Sequence, residues 1–429
     1  MLNRVMLTEL SFPGWLVGGA LAFEQLVAAS RILFGRLSDS RPLAGLHRLP
    51  YIWIGTAAFA LLTSLVVPLT FRVHSTLQGG PFATRVVAVT ALCSLFALYG
   101  LAISMASTPY LALVIDRTGE RERSRAVGLI WSMLTVGIVV GAITINLTLR
   151  SLVGVSDPAL LEPVLSRFMQ RVAVGVVLLT LLATWGMEPS RSQLSRSQDR
   201  EDSMTLPAAW RLIRSSAQVL TFFAFLVLFT LAVFLQDPIL ESFGAEVFGL
   251  SIPATASLNA YWGLATLAGL LLSGFWLIPW LGKFAAARLG CRAIVASLVL
   301  LIAAGLFVQV PLLYASIVSF GLAVGVATSS ALTLMLDFTL PAAAGTFVGV
   351  WGLGQAYARA GAKLAGGSML DVGRALFPGA APVVAYGFVL GLAALMGCLA
   401  LAVLARLSLS RFRSDASASL GTVLSHELG

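Results

Sequence analysis

Long apolar stretches alternate with short polar connections along this chain. They lie at residues 12–34, 51–71, 86–115, 126–149, 171–187, 217–240, 252–281, 293–310, 311–336, 346–370 and 382–405. About 20 apolar residues suffice to cross the roughly 30 Å hydrocarbon layer as a helix. Gly and Pro recur inside the stretches, which membrane helices tolerate. No alternation of apolar and polar positions recurs over segments of about ten residues, so the pattern predicts helices rather than a membrane β-barrel.

Composition agrees with the pattern. Of 429 residues, 58% are hydrophobic and 11% charged, against about 45–50% and 25% in a soluble domain. So little charge cannot cover a globular surface, which excludes a soluble enzyme, and a disordered chain needs the opposite balance. The net charge of +9 would raise nucleic acid as a partner in a soluble protein. Here the basic residues fall between apolar stretches, so topology accounts for them and no nucleic-acid partner is expected. Taking alternate connections, 18 of the 28 Lys and Arg lie in residues 35–50, 116–125, 188–216, 282–292, 337–345 and the C-terminal tail; six lie in the other set. That bias predicts that the first set and the C-terminus face the cytoplasm.

The chain is expected to divide into an N-terminal half over 1–187, a cytoplasmic linker over 188–216, a C-terminal half over 217–406 and a mobile cytoplasmic tail over 407–429. The halves echo each other. Leu113-Val114-Ile115-Asp116 precedes Gly128 by the spacing at which Leu334-Met335-Leu336-Asp337 precedes Gly349, with Trp131 and Trp351 following. An echo at equivalent span ends favours a duplicated bundle.

Two polar segments stand out. Gly35-Arg36-Leu37-Ser38-Asp39, with Arg41 after it, closes the first span. Its Gly permits a tight turn, and its carboxylate suits the N-terminus of another helix. The second segment runs from Asp116 and Arg117 to Arg125. Both resemble the charged loops of the major facilitator superfamily. The resemblance sharpens at Asn3-Arg4-Val5-Met6, at Arg48-Leu49-Pro50-Tyr51-Ile52-Trp53 and from Asp116 to Trp131. These look like the PucC family of that superfamily, the bacteriochlorophyll or chlorophyll transporter and light-harvesting-complex assembly branch. The resemblance implies an all-α polytopic fold of two six-helix halves, in a thylakoid, intracytoplasmic or plasma membrane of a phototrophic bacterium. It also implies a role in handling or delivering (bacterio)chlorophyll as bound cargo. Membrane lipid, a tetrapyrrole pigment, light-harvesting or photosystem apoproteins and chlorophyll-synthesis enzymes are the partners it suggests. Members of the family carry an apolar helix ahead of the Asn-Arg-Val-Met stretch, so eleven full spans here are expected to be twelve with the first truncated, most simply by a start assigned too late. By the same resemblance, Asp39 braces the start of helix 11, near residues 345–348.

The chemistry in the sequence is sparse. No phosphate loop, metal-ligand spacing or catalytic constellation is present, so the chain is read as a non-enzyme without a metal site. His47, His74 and His426 are placed outside the spans, which leaves oxygen ligands for a pigment magnesium. Glu24, Gln25, Asn146, Asn259 and Gln355 are the candidates, and for each a helix–helix hydrogen bond is the commoner role. Tyr261, Trp262 and Trp351 could flank a planar macrocycle. Glu24 and Arg359 each fall 12 or 13 residues into their spans, about 18–20 Å deep at about 1.5 Å per residue. Charge at that depth calls for a partner or a water-filled cavity. Glu24 and Arg359 are therefore expected to pair, with Lys363 as the alternative partner and Gln355 one turn from Arg359. Two other functions compete with pigment handling: a proton-coupled transporter of a small solute, and a non-transporting scaffold for antenna subunits.

Overall fold

The computed structural model describes residues 1–43, 45–117, 133, 136–138, 140–141, 143–152, 155, 157–187, 217–337 and 344–408. Side chains of residues 115–117, 151, 336 and 344–349 are not described. The protein is helical. Helix α1 spans Gly14–Ser40, α2 Leu49–Gly79, α3 Phe82–Arg117, α4 Pro158–Thr184 and α5 Ala217–Phe234. A short α6 covers Leu240–Phe248, and α7 Ile252–Leu281, α8 Lys283–Phe307, α9 Val310–Asp337, α10 Ala344–Leu376 and α11 Pro382–Leu404 complete the order. Among the described residues the only β-type pairing is an isolated bridge between Leu43 and Leu46.

Nine of the described helices are long and apolar enough to cross a membrane. The protein is thus a multi-pass integral membrane protein. α10 is not among the nine, although it has 33 residues. Arg359, Lys363, Asp371 and Arg374 lower its hydropathy, so it crosses the apolar layer only if those charges face protein or water. The stretch at 126–149 falls largely outside the described residues; its described part is helical between 136 and 148.

Three boundaries differ from the sequence reading, each for a physical reason. α4 begins at Pro158, well before residue 171. The Asp157 side chain accepts the Ala159 N–H at 2.9 Å and Pro158 takes the first helical position, which is the usual chemistry of a helix start. α2 runs on to Gly79 and so includes His74, which the sequence reading left in a loop. The His74 ring stacks on Phe12, with centroids 6.1 Å apart, and shares a hydrogen bond with Gln78. The break near Pro311 falls at Val308, whose φ of 52° turns the chain between α8 and α9.

Close backbone contacts divide the described chain into two compact units. Unit 1 holds the described residues of Met1–Ser195 with Gln236–Ala260 and Ala360–Tyr386; unit 2 holds those of Arg196–Leu235, Tyr261–Arg359 and Gly387–Gly429. Within each unit, hydroxyls that would be stranded in hydrocarbon turn back onto their own helices. Thr63 donates to the Phe59 carbonyl at 2.8 Å, Thr70 to Val66 at 2.6 Å and Thr230 to Leu226 at 2.7 Å, so these three hydroxyls need no water.

Glycine sets the distance between α7 and α9 in unit 2. A Cβ on Gly325 would lie 2.1 Å from the Thr266 carbonyl oxygen, and one on Gly269 would lie 2.2 Å from that of Leu322. Both contacts are backbone, so neither can yield by a rotamer change. Gly325→Ala should therefore destabilise the protein by about 1–3 kcal/mol, the usual cost of overpacking. Thermal unfolding in detergent, with Gly352→Ala as the control in open space, measures the difference.

Candidate functional site

Two ion pairs sit where spans begin. In unit 1 Arg48 directly precedes α2, is buried, and donates to Ser38 Oγ at 2.8 Å while pairing with Asp39. Asp39 comes from the end of α1 and is itself exposed. Arg41 is exposed, and its carbonyl accepts the Tyr51 hydroxyl at 2.9 Å. Gly35 packs on Thr108 at ordinary contact distance. The structure thus gives Asp39 to Arg48; the side chains at 345–348, proposed as its target, lie outside the described ones, as do those of Asp116, Arg117 and Arg125.

In unit 2 Lys283, the first residue of α8, pairs with Asp337, the last of α9. Each charge opposes its own helix dipole, a cation at an N-terminus and an anion at a C-terminus. Pairing relieves both. The sequence echo had marked Asp337; Lys283 was missed because 54 positions separate it from its partner.

The residues expected deep in the membrane are dispersed. Glu24 and Gln25 are half-buried and bond each other, Gln25 Nε2 donating to Glu24 Oε1 at 3.1 Å. Directly after them α1 tightens into a 3₁₀ turn at Val27–Ala29, a form that often marks a hinge. Lys363 pairs with Asp237 at 3.4 Å. The Arg359 guanidinium lies 4.6 Å from the centroid of Phe234, whose ring meets Trp262 edge-on at 6.4 Å. Gln355 is half-buried one turn earlier on α10. Glu24 belongs to unit 1 and Arg359 to unit 2, so their pairing stays a proposal.

Other candidates have local roles. Asn146 accepts from Arg150 Nε at 3.4 Å. Asn259 donates to the buried Glu241 carboxylate. Nearby, burial pulls the Arg4 guanidinium below its ordinary pKa, while Glu9 and Glu241 pull it back. Trp351 is only 1% exposed, held edge-on by Phe222 at 5.0 Å and against Phe223 at 5.5 Å. That ring packs a core and offers no face to a macrocycle.

Two hollows are built from side chains that the sequence reading largely passed over. In unit 1 a groove of about 400 Å³ lies on α2, α3 and α4, lined by Ile52, Phe59 and Leu179 with the hydroxyl residues Thr56, Ser107, Tyr110 and Thr180. Beside it Trp53 stacks on Trp185 at 6.4 Å and donates its indole N–H to Thr184 at 2.9 Å. In unit 2 a hollow of about 500 Å³ lies at Tyr261 and Tyr314, whose rings meet edge-on at 5.2 Å. Both fall in the size range of small-molecule sites. Of the sequence candidates only Tyr261 lines either one.

Known proteins place this architecture. The chain matches the family described as PUCC protein over residues 1–412. It belongs to that family. Similar relatives include an uncharacterized protein in the puhA-bchM intergenic region of Rhodobacter capsulatus, 28% identical over 86% of this chain and 76% of that protein. Protein PucC of Rhodobacter capsulatus is 29% identical, covering 85% of this chain and 78% of its own. The bacteriochlorophyll synthase 44.5 kDa chain of the same species is 28% identical, over 92% and 87%. Among solved structures, the nucleoside transporter NupG (D323A mutant) superposes with a TM-score of 0.68 at 13% identity, covering 95% of this chain and 94% of that one. A bacterial homologue of the lysosomal transporter Spinster, inward-facing and occupied, gives 0.68 at 14%, covering 96% and 93%. At such identity the likeness shows the fold alone: this PUCC chain has the helical architecture of major facilitator transporters.

The Lys283–Asp337 pair is open to test by a double-mutant cycle. With both side chains less than a third exposed, Lys283→Gln and Asp337→Asn should show a coupling of about 0.2–1 kcal/mol, reduced by salt. Thermal unfolding of the two single variants and the double variant at low and high ionic strength measures it.

Proposed function

We propose that this protein holds a chlorophyll-type tetrapyrrole in the membrane and passes it on during assembly of light-harvesting or photosystem complexes. The observation that carries the reading is its membership of the PUCC family along nearly its whole length. The name of one relative refers to bacteriochlorophyll synthase. Physical support comes from the unit 1 groove. Half of its lining residues are aliphatic, which suits a pigment tail, and Thr56, Ser107, Tyr110 and Thr180 supply hydroxyl oxygens. Magnesium accepts oxygen ligands, directly or through water. We read the protein as a carrier without catalysis of its own, working with antenna apoproteins and pigment-synthesis enzymes.

Purification in mild detergent from a phototrophic host, followed by an absorption spectrum, tests this. Pigment should co-purify in near-stoichiometric amount, and Ser107→Leu with Thr180→Leu, which fill the groove, should lower the pigment content several-fold without unfolding the protein. Colourless protein carrying antenna subunits would support the scaffold reading in its place.

Transport by alternating access is the second reading, favoured by the transporter fold and by Glu24 beside the 3₁₀ turn in α1. In it Glu24 and Arg359 pair in at least one state. Glu24→Gln, which keeps a polar partner, should then impair function less than Arg359→Ala. Equal loss in the two variants, or none in either, measured as pigment delivery in a complementation assay, would count against the pair.

A further inference from the structure

One end of unit 1 is closed by contacts that an apolar pattern does not require. Gly14 and Trp15 open α1, and Pro13 before them has no side-chain acceptor to cap their peptide N–H groups. Both donate at 2.8 Å to the two oxygens of Asp371 on α10, 357 and 356 positions away. A carboxylate at a helix N-terminus pairs otherwise unsatisfied donors and meets the positive end of the dipole. Asp371 reaches them because the two helices touch backbone to backbone. A Cβ on Gly14 would lie 2.2 Å from the Gly367 carbonyl oxygen, and one on Gly18 would lie 2.3 Å from that of Lys363.

The chain ahead of α1 crosses the same end as a strap. It is π-helical at Val5–Glu9, and Ser11 sits at φ 51°, a region that costs strain in a residue with a side chain. It buries Val5, Met6, Leu10 and Phe12. Its polar ties all run to the Gln236–Ala260 segment or back onto itself. Arg4 donates to Thr255 at 2.8 Å and Glu9 at 3.4 Å, Asn3 to the carbonyls of Asp237 and Pro238 at 3.3 and 3.4 Å, and Thr8 to Glu246 at 3.4 Å. Asp237 and Glu246 in turn hold Lys363 and Arg374 of α10. The strap, α10 and this connection are thus one polar network. Two of its ion pairs, the Met1 ammonium with Glu241 and Arg4 with Glu9, are buried and the two on α10 are partly exposed, and they hold a backbone that is strained and π-wound. π-turns are frequent at functional sites.

We propose that residues 2–15 form a releasable strap and that Asp371 is the catch that keeps it seated. Loss of the two hydrogen bonds from Gly14 and Trp15 frees the start of α1 and opens this end of unit 1. This goes beyond the pigment reading and does not depend on it.

The test uses full-length protein in detergent, with Cys93, Cys291 and Cys398 replaced and Met6→Cys introduced at a position with no exposure. A charged, membrane-impermeant maleimide should label it slowly. Asp371→Asn should speed labelling by about two- to thirtyfold, the range expected for losing a charge at a helix N-terminus. A Thr8→Cys, Glu246→Cys cross-link should cancel the increase. Hydrogen–deuterium exchange over residues 2–13, compared between the unmodified protein and Asp371→Asn, reads the same release without cysteines and serves if Met6→Cys does not fold. Rapid labelling before Asp371 is changed, or exchange unaltered by Asp371→Asn, would overturn the proposal. Pigment content has no bearing on either measurement, so the two readings fail separately.

Discussion

Hydrocarbon offers no hydrogen bonds, and this single constraint orders the rest of the structure. Every peptide group in a span must be paired inside a helix, which is why the described chain has no sheet. A hydroxyl in a span is satisfied by a carbonyl of its own helix, as at Thr63, Thr70 and Thr230. Between helices, burial of apolar area gives little drive, because lipid is as apolar as leucine. Cohesion then comes from close approach, and the backbone contacts at Gly269 and Gly325 supply it. Many of the charges that remain are collected at span ends or along α10, with Glu24 an exception inside α1.

The same constraint explains what the sequence made legible. Apolar length marks a span regardless of its neighbours, so the spans could be read directly, and their ends drifted wherever a polar residue remained helical. His74 is such a case: three residues from Phe71 and still on α2, it looked like loop because it is polar. Asp157-Pro158 was a readable start signal for α4, passed over because Arg167 and Arg171 suggested a connection. The site was harder. Ile52, Ser107 and Thr180 share a groove only because three helices bring them together, and each alone resembles any other span residue. Asn259 drew attention as a ligand and Lys363 as an alternative charge partner, yet both turn out to serve neighbouring carboxylates. In a bilayer a polar side chain must first satisfy its surroundings, so its presence says less about cargo than the hollow beside it does.

Pigment handling and transport make opposite demands on such a fold. A transporter encloses its cargo, whereas a cargo with a long apolar tail need never leave the hydrocarbon. On the reading proposed above, the groove of unit 1 would leave the tail in lipid while its hydroxyls hold a ring. Nothing then requires a buried imidazole or a sealed cavity, which fits a chain in which Lys363 is engaged with Asp237 and Arg359 with an aromatic ring.

The two span-end ion pairs show how helix dipoles and charge placement interact. A positive residue at the start of a helix is electrostatically misplaced, because it faces the positive end of the dipole. The positive-inside rule nevertheless favours cations at helix ends that border the cytoplasm, the side expected for these two from the charge count. Both units resolve the conflict with a carboxylate, but they draw it from different places. Arg48 takes Asp39 from the helix before it, whereas Lys283 takes Asp337 from the far end of the helix after α8. Asp337 is also misplaced, at a helix C-terminus, so one pairing corrects two faults. Asp39, in the last turn of α1, carries the same fault but is largely exposed, so its pairing matters less. The two units thus meet the same constraint with differently placed partners, because it acts on each helix end and leaves the choice of partner open.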